Sequence, residues 1–333
     1  MDEIAASFTT EASHIPYRAP RWLPGGQLQT LYAYYHGATP IFRYRRERWE
    51  TPDGDFIDLD WVEPSPVTSN FVVLFHGLEG SSWSHYAVGL MNELTRRGWL
   101  GVVANFRGCS GEINRLPRSY HSGDSAEVHW ILTRLKKMHP CHRIFTVGIS
   151  LGGNVLLKWL GEQGDRALGT VEKAVAVSSP VDLAHTAARL DHGLNKIIYT
   201  RSFLRSIKLK ALAKIHANGL NLDGKSIRRA STFREIDDLF TAPIHGFKDA
   251  VDYWTRSSAK PWLKLIKIPT LLIQARNDPF LTRESFPDTS EVSPSMALEY
   301  TVAGGHVGFV AGKFPGSLGW LPSRIVGFCR ARY

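Results

Sequence analysis

Ile144-Phe145-Thr146-Val147-Gly148-Ile149-Ser150-Leu151-Gly152-Gly153-Asn154 joins an apolar, β-favouring run to a Gly-x-Ser-x-Gly pentapeptide. Val155-Leu156-Leu157-Lys158-Trp159-Leu160 then continues with helical character. Strand, sharp turn and helix in that order are what a nucleophile elbow requires. The serine stands at a strained apex, and glycines two before and two after it let neighbouring backbone pass close by. Its hydroxyl then lies at the carboxyl edge of a sheet, under the positive end of a helix, where a developing oxyanion is stabilised. The plain alternative is a structural strand–helix turn, since glycine and serine are common residues.

The surrounding chain supports a sheet for this strand to join. Further strand candidates are Asn70 to Phe75, Trp99 to Asn105, Lys173 to Val177, Thr270 to Gln274 and Ala297 to Val302. Helix candidates alternate with them: Tyr86 to Arg97, Ser125 to Met138, Gly153 to Glu162, Phe247 to Ser257 and a terminal piece from Ser323. Short apolar strands alternating with amphipathic helices indicate an α/β fold, with a mostly parallel sheet covered by helices on both faces. Residues 1–40 read as an irregular segment packed on that core, because Pro16, Pro20, Pro24 and Gly25-Gly26 break any periodicity. Between Ile41 and Val62 a hairpin is expected, with Phe42-Arg43-Tyr44-Arg45 and Ile57-Asp58-Leu59-Asp60-Trp61 flanking the turn Thr51-Pro52-Asp53-Gly54-Asp55. From 182 to 266 no strand is evident and apolar residues recur at helical spacing, so this interval reads as a helical lid inserted into a core of 41–181 and 267–333.

A serine nucleophile needs a base, a carboxylate to orient the base, and donors for the oxyanion. In a parallel sheet these groups come from loops at the carboxyl ends of strands. Asp278 follows one strand candidate in Ala275-Arg276-Asn277-Asp278-Pro279, and His306 follows the next in Ala303-Gly304-Gly305-His306. Taken alone, Asp278 before proline could initiate a turn, and His306 is one of 13 histidines. The order Ser150, Asp278, His306 with each at a strand end makes a triad the better reading. The oxyanion donors are expected to be the backbone N–H of Leu151 and that of Leu78 in His76-Gly77-Leu78-Glu79-Gly80-Ser81-Ser82, with Glu79 the alternative to Leu78. Tyr120-His121-Ser122-Gly123-Asp124 reads as ordering a helix entry, and Cys109 as structural. No cofactor or metal is called for, since neither a phosphate-binding loop nor a His-Glu-x-x-His motif is present.

Composition narrows the class. With 43% hydrophobic residues the chain buries a large core, and Met1-Asp2-Glu3-Ile4 lacks the charge and apolar run of a secretory signal. Cys109, Cys141 and Cys329 are odd in number and widely spaced, which suits reduced thiols and a cytoplasmic location. Net charge is +9, and between Thr186 and Ala230 ten basic residues face only Asp191 and Asp223. That excess is a solvated face, or a basic surface for an acidic substrate or for transient contact with anionic membrane lipids. Nucleic acid is disfavoured because no aromatic or glycine-rich stacking pattern accompanies it.

Several motifs resemble the YheT-like branch of the α/β-hydrolase superfamily, whose animal relatives include lipid-acting esterases. They are Leu28-Gln29-Thr30-Leu31, His76-Gly77-Leu78-Glu79-Gly80-Ser81-Ser82, Asn105-Phe106-Arg107-Gly108-Cys109-Ser110-Gly111, Tyr120-His121-Ser122-Gly123, the elbow, Phe233-Arg234-Glu235-Ile236-Asp237-Asp238 and Thr241-Ala242-Pro243-Ile244-His245-Gly246-Phe247. The resemblance implies an α/β-hydrolase fold with a helical lid and a cytoplasmic carboxylic ester hydrolase, with Ser150 as nucleophile, Asp278 as acid and His306 as base. Two places depart from the branch: Gln27 stands where a histidine is frequent, and Asp124-Ser125-Ala126-Glu127 stands where a threonine and an acidic pair are usual. The expected substrate is a small-molecule ester, lipid-like or short-chain, cleaved through an acyl-enzyme. Acyl transfer or thioester cleavage by the same triad remains open, as does a non-catalytic lipid-binding role at membrane surfaces.

Overall fold

The computed structural model describes residues 16–66 and 68–331. Eight strands form one sheet in the order β1-β2-β4-β3-β5-β6-β7-β8. They are β1 (Arg45–Glu50), β2 (Phe56–Val62), β3 (Asn70–Phe75), β4 (Leu100–Asn105), β5 (Arg143–Ile149), β6 (Lys173–Val177), β7 (Thr270–Ala275) and β8 (Met296–Thr301). β2 runs antiparallel to both β1 and β4, and the remaining pairs are parallel. The central strands are buried on both faces, which is why they read as continuous apolar runs such as Phe71-Val72-Val73-Leu74-Phe75.

Helices cover the two faces. α1 (Gly26–Tyr35) precedes the sheet, and α2 (His85–Arg96), α3 (Ser125–Met138), α4 (Leu151–Gln163) and α12 (Trp320–Arg330) flank it. Two apolar clusters fill the layers. Trp49, Trp61, Val128, Leu132, Leu156 and Trp159 belong to one, and Leu90, Met91, Val147, Ile273, Ile325 and Phe328 to the other.

Between β6 and β7 no strand forms, and the chain folds into helices joined by loops: α5 (Leu183–Leu190), α6 (Gly193–Asn195), α7 (Arg201–Asn218), α8 (Gly224–Arg229), α9 (Phe233–Ile236), α10 (Ala242–His245) and α11 (Ala250–Ser257), with π-helical turns at Lys196–Thr200 and Asp237–Thr241 and a 3-10 turn at Lys260–Leu265. These helices enclose a third cluster, including Leu190, Leu204, Ile227, Phe240 and Trp254, that also takes in Phe280 from the loop after β7.

Two sequence expectations need correction. The opening stretch is not irregular throughout, because α1 forms over Gly26–Tyr35 directly after Gly25, whose φ of 78° turns the chain into it. The breakers Pro24 and Gly25 therefore mark a helix entry rather than a loop. The first hairpin strand is Arg45–Glu50, not Phe42–Arg45. Its register places Arg46 opposite Asp60 and Arg48 opposite Asp58, and both pairs are joined by two hydrogen bonds of 2.8–2.9 Å. An edge strand built on ion pairs hides its apolar alternation, while aromatic Phe42 and Tyr44 pack on the core outside the ladder.

Candidate active site

Ser150 occupies the apex between β5 and α4 with φ 52° and ψ −118°, a conformation few side-chain-bearing residues adopt. The turn is over-determined. Ser150 N–H donates to Val177 O at 2.8 Å, and its carbonyl accepts from Gly153 N–H at 2.9 Å. The glycines are needed for space: a Cβ on Gly152 would lie 2.3 Å from Phe75 O, and one on Gly153 1.9 Å from Ser179 Oγ. Gly77 completes the close approach, since a Cβ there would stand 3.2 Å from Ser150 Cβ.

The other two predicted residues converge on this serine. His306 Nδ1–H donates to Asp278 Oδ2 at 2.8 Å, which leaves Nε2 to accept from the Ser150 hydroxyl at 2.9 Å. Asp278 is buried, and its second oxygen accepts from Phe280 N–H at 2.8 Å. Phe280 also stacks on the imidazole, with ring centroids 4.0 Å apart and planes 23° from parallel. Ring face, carboxylate and hydroxyl together fix the tautomer and orientation of the imidazole.

Among the described residues the N–H groups of Leu78 and Leu151 have no hydrogen-bond partner, and both residues line the same cavity as Ser150. Glu79 N–H does not serve as the alternative donor, because it is spent on Tyr120 Oη at 2.8 Å. The loop that presents Leu78 is clamped by His76. Phe106 N–H donates to His76 Nε2 at 3.0 Å, so the ring proton sits on Nδ1 and is donated to Gly77 O at 2.7 Å. Burial lowers this histidine to about 4, which keeps it neutral and preserves that pattern. Gly77 N–H in turn donates to Tyr86 Oη at 2.9 Å.

Residues outside the expected set hold the His306 loop. Thr30 Oγ1 accepts from His306 N–H at 2.8 Å, and Gln29 Oε1 accepts from Gly304 N–H at 2.8 Å and from Asn277 Nδ2 at 3.1 Å. Asn277 Oδ1 accepts from Gly305 N–H at 3.0 Å. Gln27 Nε2 donates to Asn195 Oδ1 at 2.8 Å, and Asn195 Nδ2 reaches Pro279 O at 2.7 Å. The departure at position 27 thus ties α1 to α6 and to the Asp278 loop. The signal for these residues was the Leu28-Gln29-Thr30-Leu31 motif, whose position in the fold the sequence alone did not supply.

The remaining motif residues are structural or line the cavity wall. Arg107 is buried against Asp53, Asp55 and Glu127. Cys109 is buried and its thiol is pushed up to about 12, as suits a packing role. His121 and His245 stand 4.4 Å apart in the wall, with His121 lowered by burial to about 4 and His245 to about 3. The cavity measures about 810 Å³ and is walled mainly by apolar side chains, among them Leu31, Leu183, Leu190, Ile198, Phe203 and Phe240. That size falls within the roughly 300–1,000 Å³ of pockets that enclose a whole small ligand.

Comparison with known proteins agrees with this fold. A family description of the α/β hydrolase fold matches residues 70–312. YheT of Escherichia coli (strain K12), whose esterase name is itself provisional, is 39% identical over 326 residues, covering 96% of this chain and 94% of that protein. Human phospholipase ABHD3 is 28% identical over 302 residues, 88% of this chain and 73% of its own. The monoacylglycerol lipase of Saccharomyces cerevisiae is 27% identical over 83% of this chain and 62% of its own. The esterase Pf2001 of Pyrococcus furiosus shares the fold with a TM-score of 0.55 at 20% identity, over 87% of this chain and 92% of its own. The chain belongs to the α/β-hydrolase fold family, in its YheT-like branch of esterase- and lipase-type enzymes.

Proposed function

We propose that this protein is a serine hydrolase that cleaves carboxylic esters through an acyl-enzyme. The observation that carries the reading is the continuous chain Ser150 Oγ, His306 Nε2, His306 Nδ1, Asp278 Oδ2, with both links under 3 Å. Ser150 Oγ attacks the ester carbonyl carbon as its proton passes to His306 Nε2. Asp278 stabilises the imidazolium and holds its orientation. Negative charge develops on the carbonyl oxygen, where the N–H groups of Leu78 and Leu151 and the amino end of α4 meet it. Collapse of the intermediate breaks the bond to the alkoxy oxygen, which takes the proton from His306 and leaves as alcohol. Water then repeats the sequence on the acyl-enzyme and frees the acid.

The cavity walls lead us to a lipid-like substrate, with an apolar chain lying beneath the lid of residues 182–266. We further infer that the cavity mouth meets an anionic membrane surface. Tyr34, Tyr35, Trp83 and Ile113 all line the cavity and are 69%, 75%, 60% and 43% exposed. Arg201 and Arg205 are exposed on α7 beside the cavity-lining Ser202, and neither forms an ion pair among the described residues. Aromatic side chains at a mouth flanked by free cations suit a headgroup interface. Among the described residues no helix is long and apolar enough to cross a membrane. Cys109, Cys141 and Cys329 are free, and we place the reaction in the reducing cytoplasm.

A fluorophosphonate probe should label Ser150, and Ser150→Ala should abolish both labelling and hydrolysis across esters of graded acyl length, a loss of about 10⁶ in turnover. Competent protein that stays unlabelled, or Ser150→Ala that still hydrolyses, refutes the reading. Product ratios with added alcohol separate hydrolysis from acyl transfer.

A further inference from the structure

We propose that Lys210 and Ser206 of the lid are positioning residues for the Leu78 oxyanion donor, acting through the carboxylate of Glu79. The inference rests on the hydrolase reading above and assigns the lid a part in the chemistry beyond covering the cavity.

Glu79 directly follows Leu78 and holds φ at 54°, a strained value that persists only where the surroundings enforce it. The enforcement comes from two sides. From the core, Tyr120 Oη accepts from Glu79 N–H at 2.8 Å and donates to Glu79 Oε1 at 2.8 Å. Tyr120 is itself fixed by parallel stacking on Phe106, with centroids 5.3 Å apart and planes 4° from parallel. From the lid, Ser206 Oγ donates to Glu79 Oε2, and Lys210 Nζ lies 2.8 Å from the same oxygen. Ser206 and Lys210 are one turn apart on α7, so a single helical face grips the carboxylate.

That carboxylate is nearly buried, at 9% side-chain exposure, and the lid supplies its charge partner. Should α7 move away, two donors and the counter-charge leave together, and an ionised buried carboxylate without a partner is strongly disfavoured. Glu79 then relaxes its φ, the Leu78–Glu79 peptide swings, and the Leu78 N–H loses its aim at the Ser150 carbonyl adduct. Glu79, Tyr120, Ser206 and Lys210 all line the cavity, so a substrate that displaces or seats α7 bears on the same linkage. The lid and the oxyanion hole are thus joined by one ion pair across 131 positions of sequence.

The test is steady-state kinetics on a short, soluble ester with Lys210→Met, Lys210→Arg, Glu79→Gln and the Glu79→Gln, Lys210→Met double variant. Lys210→Met should lower kcat by about 10- to 100-fold, less than the roughly 10²–10³ for outright loss of a donor, with KM changed less than about threefold because the interaction is made in the transition state. Lys210→Arg should restore kcat, and the double variant should be no worse than the poorer single one, as expected of residues acting as a unit. Wild-type kcat in Lys210→Met, a loss confined to KM, or strictly additive losses would overturn the proposal. If Lys210→Met does not fold, Ser206→Ala serves in its place, since it removes one donor without stranding the charge, and unchanged kcat there also overturns it. Fluorophosphonate labelling of the wild type separates the two levels. An unlabelled wild type refutes the hydrolase reading, whereas a labelled wild type with a kcat indifferent to these substitutions refutes only the link through Glu79.

Discussion

Replacing Gln29 with methionine should weaken both the fold and the proposed chemistry, although Gln29 does not touch Ser150. The side chain is 1% exposed, and methionine preserves its length and volume. Three hydrogen bonds disappear: Gly304 N–H and Asn277 Nδ2 to Oε1, at 2.8 and 3.1 Å, and Nε2 to Leu23 O at 3.0 Å. Each contributes about 0.5–1.5 kcal/mol net, and a buried partner left unmet costs about 1–3 kcal/mol, so three lost bonds amount to roughly 2–5 kcal/mol after partial relaxation. Asn277 also holds Gly305 N–H at 3.0 Å, so the whole approach to His306 loosens. A misplacement of about 1 Å in such a group costs on the order of 10² in turnover. Urea unfolding gives the first quantity, and kcat on a soluble ester at a temperature where the variant is fully folded gives the second. A variant within about 0.5 kcal/mol of wild type, the range of a neutral substitution, and with undiminished kcat would show that α1 merely lies against the histidine loop and does not hold it.

Thr30→Val should lower kcat with a smaller loss of stability, because it removes the acceptor for His306 N–H but leaves the Gln29 network in place; wild-type kcat counts against the clamp. Gly152→Ala should destabilise by about 1–3 kcal/mol or more, since its Cβ would fall 2.3 Å from Phe75 O and 2.5 Å from His76 O, both backbone atoms; a normal urea midpoint contradicts the packing described. Acidification from about 6.5 to 4 should lower Tm. Burial holds His76, His85 and His121 down to about 4 and His245 to about 3, so the unfolded chain takes up protons near 6.5 that the folded chain refuses. Burial lowers His139 as well. It also pushes Asp237 up to about 7 and raises Glu127 and Asp191, which oppose the loss over the same window, but they are three groups against five. A Tm that holds or rises on acidification refutes that balance. For the cavity mouth, vesicles of anionic phospholipid should bind the wild type in a salt-sensitive manner and bind a Tyr34→Ser, Tyr35→Ser, Trp83→Ser variant and an Arg201→Gln, Arg205→Gln variant more weakly; equal binding by all three leaves the mouth without a membrane role.

The elbow was legible because its determinants are local. A buried strand, two glycines and a helix leave a periodicity that changes within five residues, and the strand-end positions of Asp278 and His306 follow from the same alternation. What stayed hidden depends on partners distant in sequence. β1 is an Arg-rich edge whose sense appears only once Asp58 and Asp60 lie opposite it. α1 is short and weakly amphipathic, with buried Gln29 and Thr30 where an apolar stripe would have announced it. The charge excess between Thr186 and Ala230 was visible, but not its division. Lys210 is committed to Glu79, and Lys214 to the carbonyls of Leu116 and Arg118, while Arg201 and Arg205 face solvent. Composition counts such cations alike, and only the fold distinguishes them.

The bond from His306 N–H to Thr30 spans 276 positions. During synthesis α1 emerges well before the histidine loop and must wait, with its buried-to-be glutamine and threonine solvated, until that loop leaves the ribosome. Closing so long a loop is entropically slow. A nascent chain therefore carries Ser150 long before it carries His306, and the proposed hydrolytic competence cannot arrive until both have been drawn together.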